Sequence, residues 1–378
     1  MTNLAINGAD TAWVLASGAL VLLMTPALAL FYGGLVRTKS TLNMMMMSFS
    51  AIGVGTIVWI LWAYSLAFGP DTGQGIIGDL SHFGLNGTLD TSVGAQDHQI
   101  PTLAFVMFQM TFAIITVALL SGAIADRAKF GAWIVFIAAW ITLIYAPVAH
   151  WAFASQGGNG GWIIDKLGAL DFAGGTVVEI NSGAAALALA IVLGKREGFK
   201  RDAMRPHNIP FILLGAGLLW FGWFGFNAGS ALGANGIAGL ALINTQVATA
   251  AALIGWLLVE KIRDGHATSL GAASGAVAER LIVSNPSVTW PNHTTLVTGV
   301  RADKHGVLSN GLIVDFYRHI SQGETEHSPR IVTLSRRQLA LIEDRTRQNG
   351  PAPTISTRAA LSACWPGPPI SRSTRWRA

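Results

Sequence analysis

Apolar positions in the first three-quarters of the chain do not alternate with polar ones. They come in long unbroken runs, separated by short polar stretches. Seven runs are long enough to cross a bilayer as helices: Thr11–Val36, Met44–Phe68, Thr102–Ala125, Ala132–Ala152, Gly174–Leu193, Ile209–Phe226 and Ile237–Val259. An eighth begins near Ala267 with "ATSLGAASGAVA", about 12 apolar or small residues that are too few to span alone. At Glu279 the apolar character stops. The pattern therefore predicts an all-α, polytopic membrane bundle over residues 1–278, cut short after seven to eight helices, and an irregular tail over 279–378.

The polar stretches give the sidedness. Those after the first, third, fifth and seventh runs hold eleven Lys and Arg residues (Arg37, Lys39, Arg127, Lys129, Lys195, Arg196, Lys200, Arg201, Arg205, Lys261 and Arg263), and the others hold one, Lys166. Basic loops stay cytoplasmic, so the N-terminus and the loops at 69–101 and 153–173 are expected outside a cell membrane. Glycine recurs inside the runs, as in "FYGGL" at 31–35 and "FGWFGFNAGSA" at 221–231. Small residues let membrane helices approach closely, which fits a packed bundle better than isolated anchors.

Composition agrees: 51% of the 378 residues are hydrophobic and 12% are charged, against about 25% charged in soluble domains. The net charge of +5 conceals two unlike parts. Residues 1–278 carry 12 Lys/Arg and 13 Asp/Glu (net −1), whereas 279–378 carry the remaining 13 and 7 (net +6). The single cysteine, Cys364, excludes an intrachain disulfide and a cysteine metal cluster. No cofactor, metal or nucleic-acid partner is expected. The first run lacks a preceding Lys or Arg, carries Asp10, and is long enough to span, so it reads as a transmembrane helix ahead of a cleaved signal peptide.

Glu179, in "FAGGTVVEINSGA" at 172–184, is the chemical anomaly. A charge at bilayer depth costs roughly 2.5–3.5 kcal/mol on insertion scales. Helical spacing puts Gly175, Thr176, Ser182 and Gly183 on its face, so the carboxyl is expected to meet a neighbouring helix or a cavity rather than lipid. Two readings fit: a carboxyl hydrogen-bonded within the bundle, or a proton or cation site on a conduction path. Phe108 and Phe112, spaced i and i+4 in "FQMTFA", can be ordinary packing or can offer ring faces to a cation at an outer mouth. Ser230 and Phe153 are expected at the same level. Asp171 precedes the helix of Glu179 and can cap it.

Five stretches in order, "FYGGLVRTKS" (31–40), "LDFAGGTVVEIN" (170–181), "RPHNIP" (205–210), "WFGFNAGSA" (223–231) and "NTQVATAAALIGW" (244–256), closely resemble the ammonium transporter (Amt/Mep/Rh) family. The resemblance covers about residues 10–278. It implies a trimer of helical bundles, each with its own pore; an outer vestibule that recruits ammonium; a phenylalanine gate; a narrow apolar pore; and a cytoplasmic PII-type regulator as partner. By position, Ser230 matches the vestibule hydroxyl, Phe112 and Phe226 the gate with Phe108 beside them, and Asp171 the vestibule-floor aspartate. Phe153 falls where many members have a vestibule tryptophan, with Trp151 two residues away. Glu179 falls on the first of two pore histidines, where some fungal members also carry glutamate.

The resemblance also implies eleven helices built from an inverted repeat of five and five, with the pathway between the halves. Seven runs and part of an eighth cover about two thirds of that. The second pore histidine has no counterpart; "RDGHATS" at 263–269 lies in an expected cytoplasmic loop. Residues 286–310, "PSVTWPNHTTLVTGVRADKHGVLSN", resemble a short piece of the type I phosphodiesterase/nucleotide pyrophosphatase family, with Thr289 at the nucleophile position and Asn292 at a phosphate-stabilising one. The metal ligands that would activate the threonine have no place to come from. Three functions follow from the sequence. The first is ammonium/ammonia transport, with deprotonation at the gate and no enzymatic activity. The second is a non-conducting fragment of such a transporter. The third, on which little rests, is a membrane-tethered phosphohydrolase.

Overall fold

The computed structural model describes residues 6–278 except 96, 197 and 203. Seven helices long and apolar enough to cross a membrane occupy most of this stretch: α1 (Gly8–Leu35), α2 (Thr38–Phe68), α3 (Thr102–Ile124), α4 (Phe130–Phe153), α5 (Gly175–Leu193), α6 (Ile209–Gly229) and α7 (Gly236–Asp264). Each expected run is recovered to within a few residues. The eighth stretch, too short to span alone, is a regular ten-residue helix, α8 (Ser269–Ala278), packed back on α7 and α6. Its start is fixed by Glu260, which accepts from Thr268 N (2.9 Å), and by Thr268 Oγ1, which accepts from Gly271 N (2.8 Å). The expected tail falls on residues outside those described.

Helix starts are written locally. Asn7, Asn208 and Asn235 cap α1, α6 and α7, accepting from Asp10 N, Phe211 N, and Ile237 N with Ala238 N respectively, which satisfies donors that a membrane offers no water to satisfy. α7 ends at Gly265, whose φ of +82° suits the left-handed turn after a helix.

α1 and α6 make the closest crossing. A Cβ on Gly215 would fall 2.5 Å from Phe31 N, on Gly222 2.7 Å from Leu20 O, on Gly225 2.7 Å from Ser17 O, and on Gly229 2.5 Å from Ser17 Cβ. One glycine stripe of α6 thus lies directly on the backbone of α1. α3 runs through the middle of the bundle, with 78% of its most apolar window buried, whereas the same measure for α5 is 17%.

The helices alternate in direction between two ends. At one end the 69–101 loop, with a short antiparallel pair Ser92–Val93/Ile100–Pro101, meets the start of α1. There Asn7 N donates to Gln99 O (2.8 Å), His98 Nδ1 lies 2.7 Å from Asp10 Oδ2, and Ala234 N donates to Asp10 Oδ1 (2.7 Å). At the other, basic end Arg37 pairs with Asp126 (2.8 Å), which also accepts from Ser40 Oγ. His207 and Asn208 of the "RPHN" stretch donate their backbone N–H groups to Gly34 O at 3.1 and 3.3 Å.

Candidate functional site

α3 and α6 run antiparallel and bring three of the expected aromatic residues together. Phe108 and Phe112 meet edge to face at 4.8 Å between centroids, and Phe112 lies 4.3 Å from Phe226. Phe226 is stacked on Trp223 at 4.1 Å with 7° between planes. All three phenylalanines are buried. Trp223 was not singled out from sequence, although its i−3 spacing from Phe226 puts the two on one helix face. Ser230, one turn beyond Phe226, donates its hydroxyl hydrogen to Phe226 O (2.8 Å), which leaves the oxygen's lone pairs available to a donor.

Asp171 does cap the helix of Glu179. Its Oδ1 accepts from Gly174 N (2.8 Å), and its Oδ2 accepts from Thr176 N (2.9 Å) and Val177 N (3.0 Å). Three charge-assisted bonds hold the turn. Gly174, at φ +103°, completes it; a Cβ there would lie 2.8 Å from Val178 Cγ2 and 3.7 Å from Phe226 Cζ. The capped turn therefore rests against the gate-position ring.

From Gly175 to Ile180 the helix is wound wide, with Glu179 N donating to Gly174 O at 3.0 Å, five residues back. This corrects the expected face of Glu179. The spacing that put Gly175 and Thr176 beside it holds for an α-turn, and the α-helix begins only at Asn181. A π-type turn of this kind is frequent at functional sites. The Oε1 oxygen of Glu179 is buried, one wide turn from Gly174 toward the basic end, and Ser182 Oγ donates to Glu179 O (3.3 Å). Similar wide turns occur in α2 at Trp59–Ala63 and in α4 at Ile141–Tyr145.

Trp151 and Phe153 lie at the loop end of α4, both half-buried. The Trp151 indole donates to Ile76 O (2.8 Å) and packs 5.8 Å from Trp162, so it anchors the 69–101 loop. Beside it is a pair without a sequence signal. His150 is fully buried, with Nδ1 2.9 Å from Ala67 O and Nε2 3.2 Å from Asp71 Oδ1. Burial pushes the Asp71 carboxyl up, but the N–H groups of Gly75 and Gly73 and the His150 ring outweigh it and hold the carboxyl below its ordinary range. Among the described residues no group of three His, Cys, Asp or Glu side chains could hold a metal. Thr289 and Asn292 lie outside the described residues.

Residues 12–308 match the Ammonium Transporter Family, and residues 259–375 match the type I phosphodiesterase / nucleotide pyrophosphatase family. The second match is longer than the 286–310 stretch expected from sequence, and the first runs past the expected boundary at 278. The chain is 56% identical over 324 residues to an ammonium transporter of Mycobacterium tuberculosis (strain ATCC 25618 / H37Rv), covering 81% of this chain and 68% of that one. It is 52% identical over 291 residues to an ammonium transporter of Bacillus subtilis (strain 168), covering 77% and 69%. Among solved structures, Saccharomyces cerevisiae Mep2 superposes with a TM-score of 0.67 at 32% identity, covering 78% of this chain and 65% of that one. Candida albicans Mep2 superposes with a TM-score of 0.68 at 34% identity, covering 77% and 64%. The chain thus spans a little under two thirds of the solved structures it resembles. With the family's motifs on the helices, the aromatic stack and the capped turn that those motifs build, and a match over residues 12–308, the chain belongs to the Ammonium Transporter Family.

Proposed function

We propose that this chain carries ammonium and ammonia across the cell membrane, N-terminus outside, as the pore-forming part of a homotrimer open to a PII-type regulator on its basic face. Ammonium is recruited at the loop end, where Ser230 offers a hydroxyl oxygen and Phe112, Phe153 and Trp151 offer aromatic faces. It loses its proton at the gate of Phe112 and Phe226, with Phe108 beside them, and Asp171 holds the floor of the vestibule. Neutral ammonia enters an apolar path that a potassium ion cannot share, because the ion cannot shed its charge. Glu179 handles the proton. The observation that carries this reading is that the Asp171-capped turn comes so near the buried Phe112–Phe226 pair that a Cβ on Gly174 would lie 3.7 Å from Phe226 Cζ, and that this turn leads in one wide turn to a buried carboxylate oxygen.

A second reading, a bundle that does not conduct by itself, is favoured by the low burial of α5, whose Leu187, Ile191 and Val192 are 63%, 72% and 82% exposed. The helix that carries Glu179 has little protein around it among the described residues. The experiment is methylammonium uptake in cells lacking their own ammonium transporters, with surface expression checked. A version extended to the length of its relatives is expected to take up the solute and to lose most uptake on Asp171→Ala. The 378-residue chain alone is expected to show little. Saturable uptake by that chain would overturn the second reading, and no uptake by a well-expressed extended version would overturn the first.

A further inference from the structure

Both ring nitrogens of His150 face oxygens. Nδ1 lies 2.9 Å from Ala67 O at the end of α2, and Nε2 lies 3.2 Å from Asp71 Oδ1 in the 69–101 loop. The His150 side chain is 0% exposed, so both contacts are shut off from solvent at the ring. A carbonyl oxygen only accepts, so Nδ1 carries a hydrogen. A neutral imidazole has no second one, and its Nε2 would turn a lone pair on the lone pairs of a carboxylate. That arrangement is unfavourable in a buried site. A second hydrogen therefore lies between Nε2 and Oδ1. Asp71 Oδ1 also accepts from Gly75 N (2.9 Å) and, at longer range, from Gly73 N (3.4 Å), bonds that favour the ionised carboxylate. The hydrogen thus belongs to the ring.

We propose that His150 is an imidazolium paired with the Asp71 carboxylate, and that the pair is a proton-dependent latch through which Asp71 acts as a positioning residue for the loop end of α4. The two charges cancel, which is the condition for burying either. The latch sits among bonds that tie the same loop to the same end. Asp71 N donates to Gln156 Oε1 (3.2 Å), Trp162 N donates to Gly75 O (3.0 Å), and the Trp151 indole donates to Ile76 O (2.8 Å). Amide and indole groups do not titrate in the range of side-chain acids and bases. The other ionisable groups on the elements around this end are engaged elsewhere. Asp79 accepts from Ser81 and His82 Nδ1 lies on Asn86 O; Asp165 accepts from Ser155, Gln156 N and Gly160 N; Lys166 donates to Gln74 O; Asp171 caps its own turn; and Glu179 is on the wide turn beyond it. The sign follows. As the pH rises the ring gives up its second hydrogen, Nε2 repels the carboxylate, and residues 71–78 are left to the neutral bonds. On the acid side the pair persists until the carboxylate itself is protonated, which its N–H partners postpone. The consequence for transport runs through Trp151 and rests on the function proposed above, whereas the latch does not.

The test begins with nitrogen NMR of the full chain carrying isotope-labelled histidine, with His150→Gln used to assign the His150 signals. Both ring nitrogens are expected to be protonated at about pH 7 in the unaltered protein. Asp71→Asn keeps an acceptor for Gly75 N and offers an N–H to a neutral Nε2, so it is expected to hold the fold and leave the ring neutral. Hydrogen exchange then follows the Asp71 and Trp162 amides, which bond across the junction. Their protection, corrected for intrinsic exchange, is expected to fall about tenfold as His150 loses its proton, the scale of one hydrogen bond to a charged group, and to stay level with pH in Asp71→Asn. Last, methylammonium uptake by the extended version is compared between Asp71→Asn and the unaltered residue at each external pH, a ratio that cancels the pH dependence of the solute. The ratio is expected to rise about threefold from neutral to alkaline pH. A neutral His150 at about pH 7 in the unaltered protein would overturn the pair. A charged His150 whose loss of proton leaves both amides equally protected would overturn the latch. A working latch with a flat uptake ratio would overturn the positioning role. No uptake by a well-expressed extended version would overturn the transport reading and leave the latch standing on the first two measurements.

Discussion

Glu179 lies one wide turn beyond Gly174, where an added Cβ would meet Phe226, and its chemistry differs in kind from a neutral imidazole at the same place. A proton acceptor works only when deprotonated. An ordinary carboxyl is deprotonated above about pH 4.3 and an ordinary histidine above about 6.5. Glu179→His in the extended version is therefore expected to keep uptake and move the acid limb of its pH profile toward neutral. An unmoved limb, measured as methylammonium uptake against external pH at equal expression, would remove Glu179 from proton handling. At this scale the sequence was half legible. Asp171 could be read as a cap because aspartate before an apolar run has a local reason to be there. The wide turn at 175–180 could not, since nothing in "GTVVEI" distinguishes five-residue from four-residue hydrogen bonding. The partnership of His150 with Asp71 was hidden for another reason: it joins residues 79 apart, one on α4 and the other in the 69–101 loop.

At the scale of elements, the glycines of "FGWFGFNAGSA" announced close packing without saying against what. The structure supplies α1 as the partner and separates the glycines that need the contact from those that do not. A methyl on Gly225 would meet Leu20 Cβ at 2.6 Å and the backbone oxygen of Ser17 at 2.7 Å, and neither helix backbone can yield without the other. Gly217, two turns away on the same helix, has nothing within 4 Å. Gly225→Ala is expected to destabilise by about 1–3 kcal/mol, the usual cost of overpacking. Gly217→Ala should be neutral or stabilising by up to about 1 kcal/mol, because alanine is the better helix former. Thermal unfolding in detergent reads both. Equal melting temperatures for the two variants would mean that the α1–α6 crossing is not as tight as the structure has it. The end of the apolar pattern, "SLGAASGAVA", is short as a span but sound as a helix. Gly275 fits where a Cβ would lie 2.9 Å from Ala252 O, so α8 is held by α7 rather than by its own length.

For the whole molecule, number and direction of helices were the most legible features, because a bilayer demands long apolar runs with every backbone group paired. The structure sorts the charges accordingly: the loops after α1, α3, α5 and α7, with the helix ends beside them, carry eleven of the 12 Lys and Arg residues before position 279. Basic loops are retained on the cytoplasmic side during insertion. Once there they are held by the membrane potential, since moving each charge against it costs about 2.3 kcal/mol per 100 mV. Some of these charges also have structural duties, as Arg37 does with Asp126, but Lys39, Lys129, Lys195 and Lys200 are exposed and remain available to set orientation. The single cysteine makes the orientation testable. In a Cys364→Ser background, Leu89→Cys in the 69–101 loop, at a position 74% exposed, should react with a membrane-impermeant maleimide in intact cells. Lys195→Cys, at the basic end, should react only after permeabilisation. Both substitutions lie outside the helices and leave the aromatic stack and the Asp171 cap untouched. The reverse labelling pattern would place the N-terminus inside and put Ser230, Phe112 and Asp171 at the cytoplasmic mouth, where a recruiting vestibule would serve export; labelling of both sites in intact cells would mean that the chain inserts in two orientations and that the charge asymmetry does not decide between them.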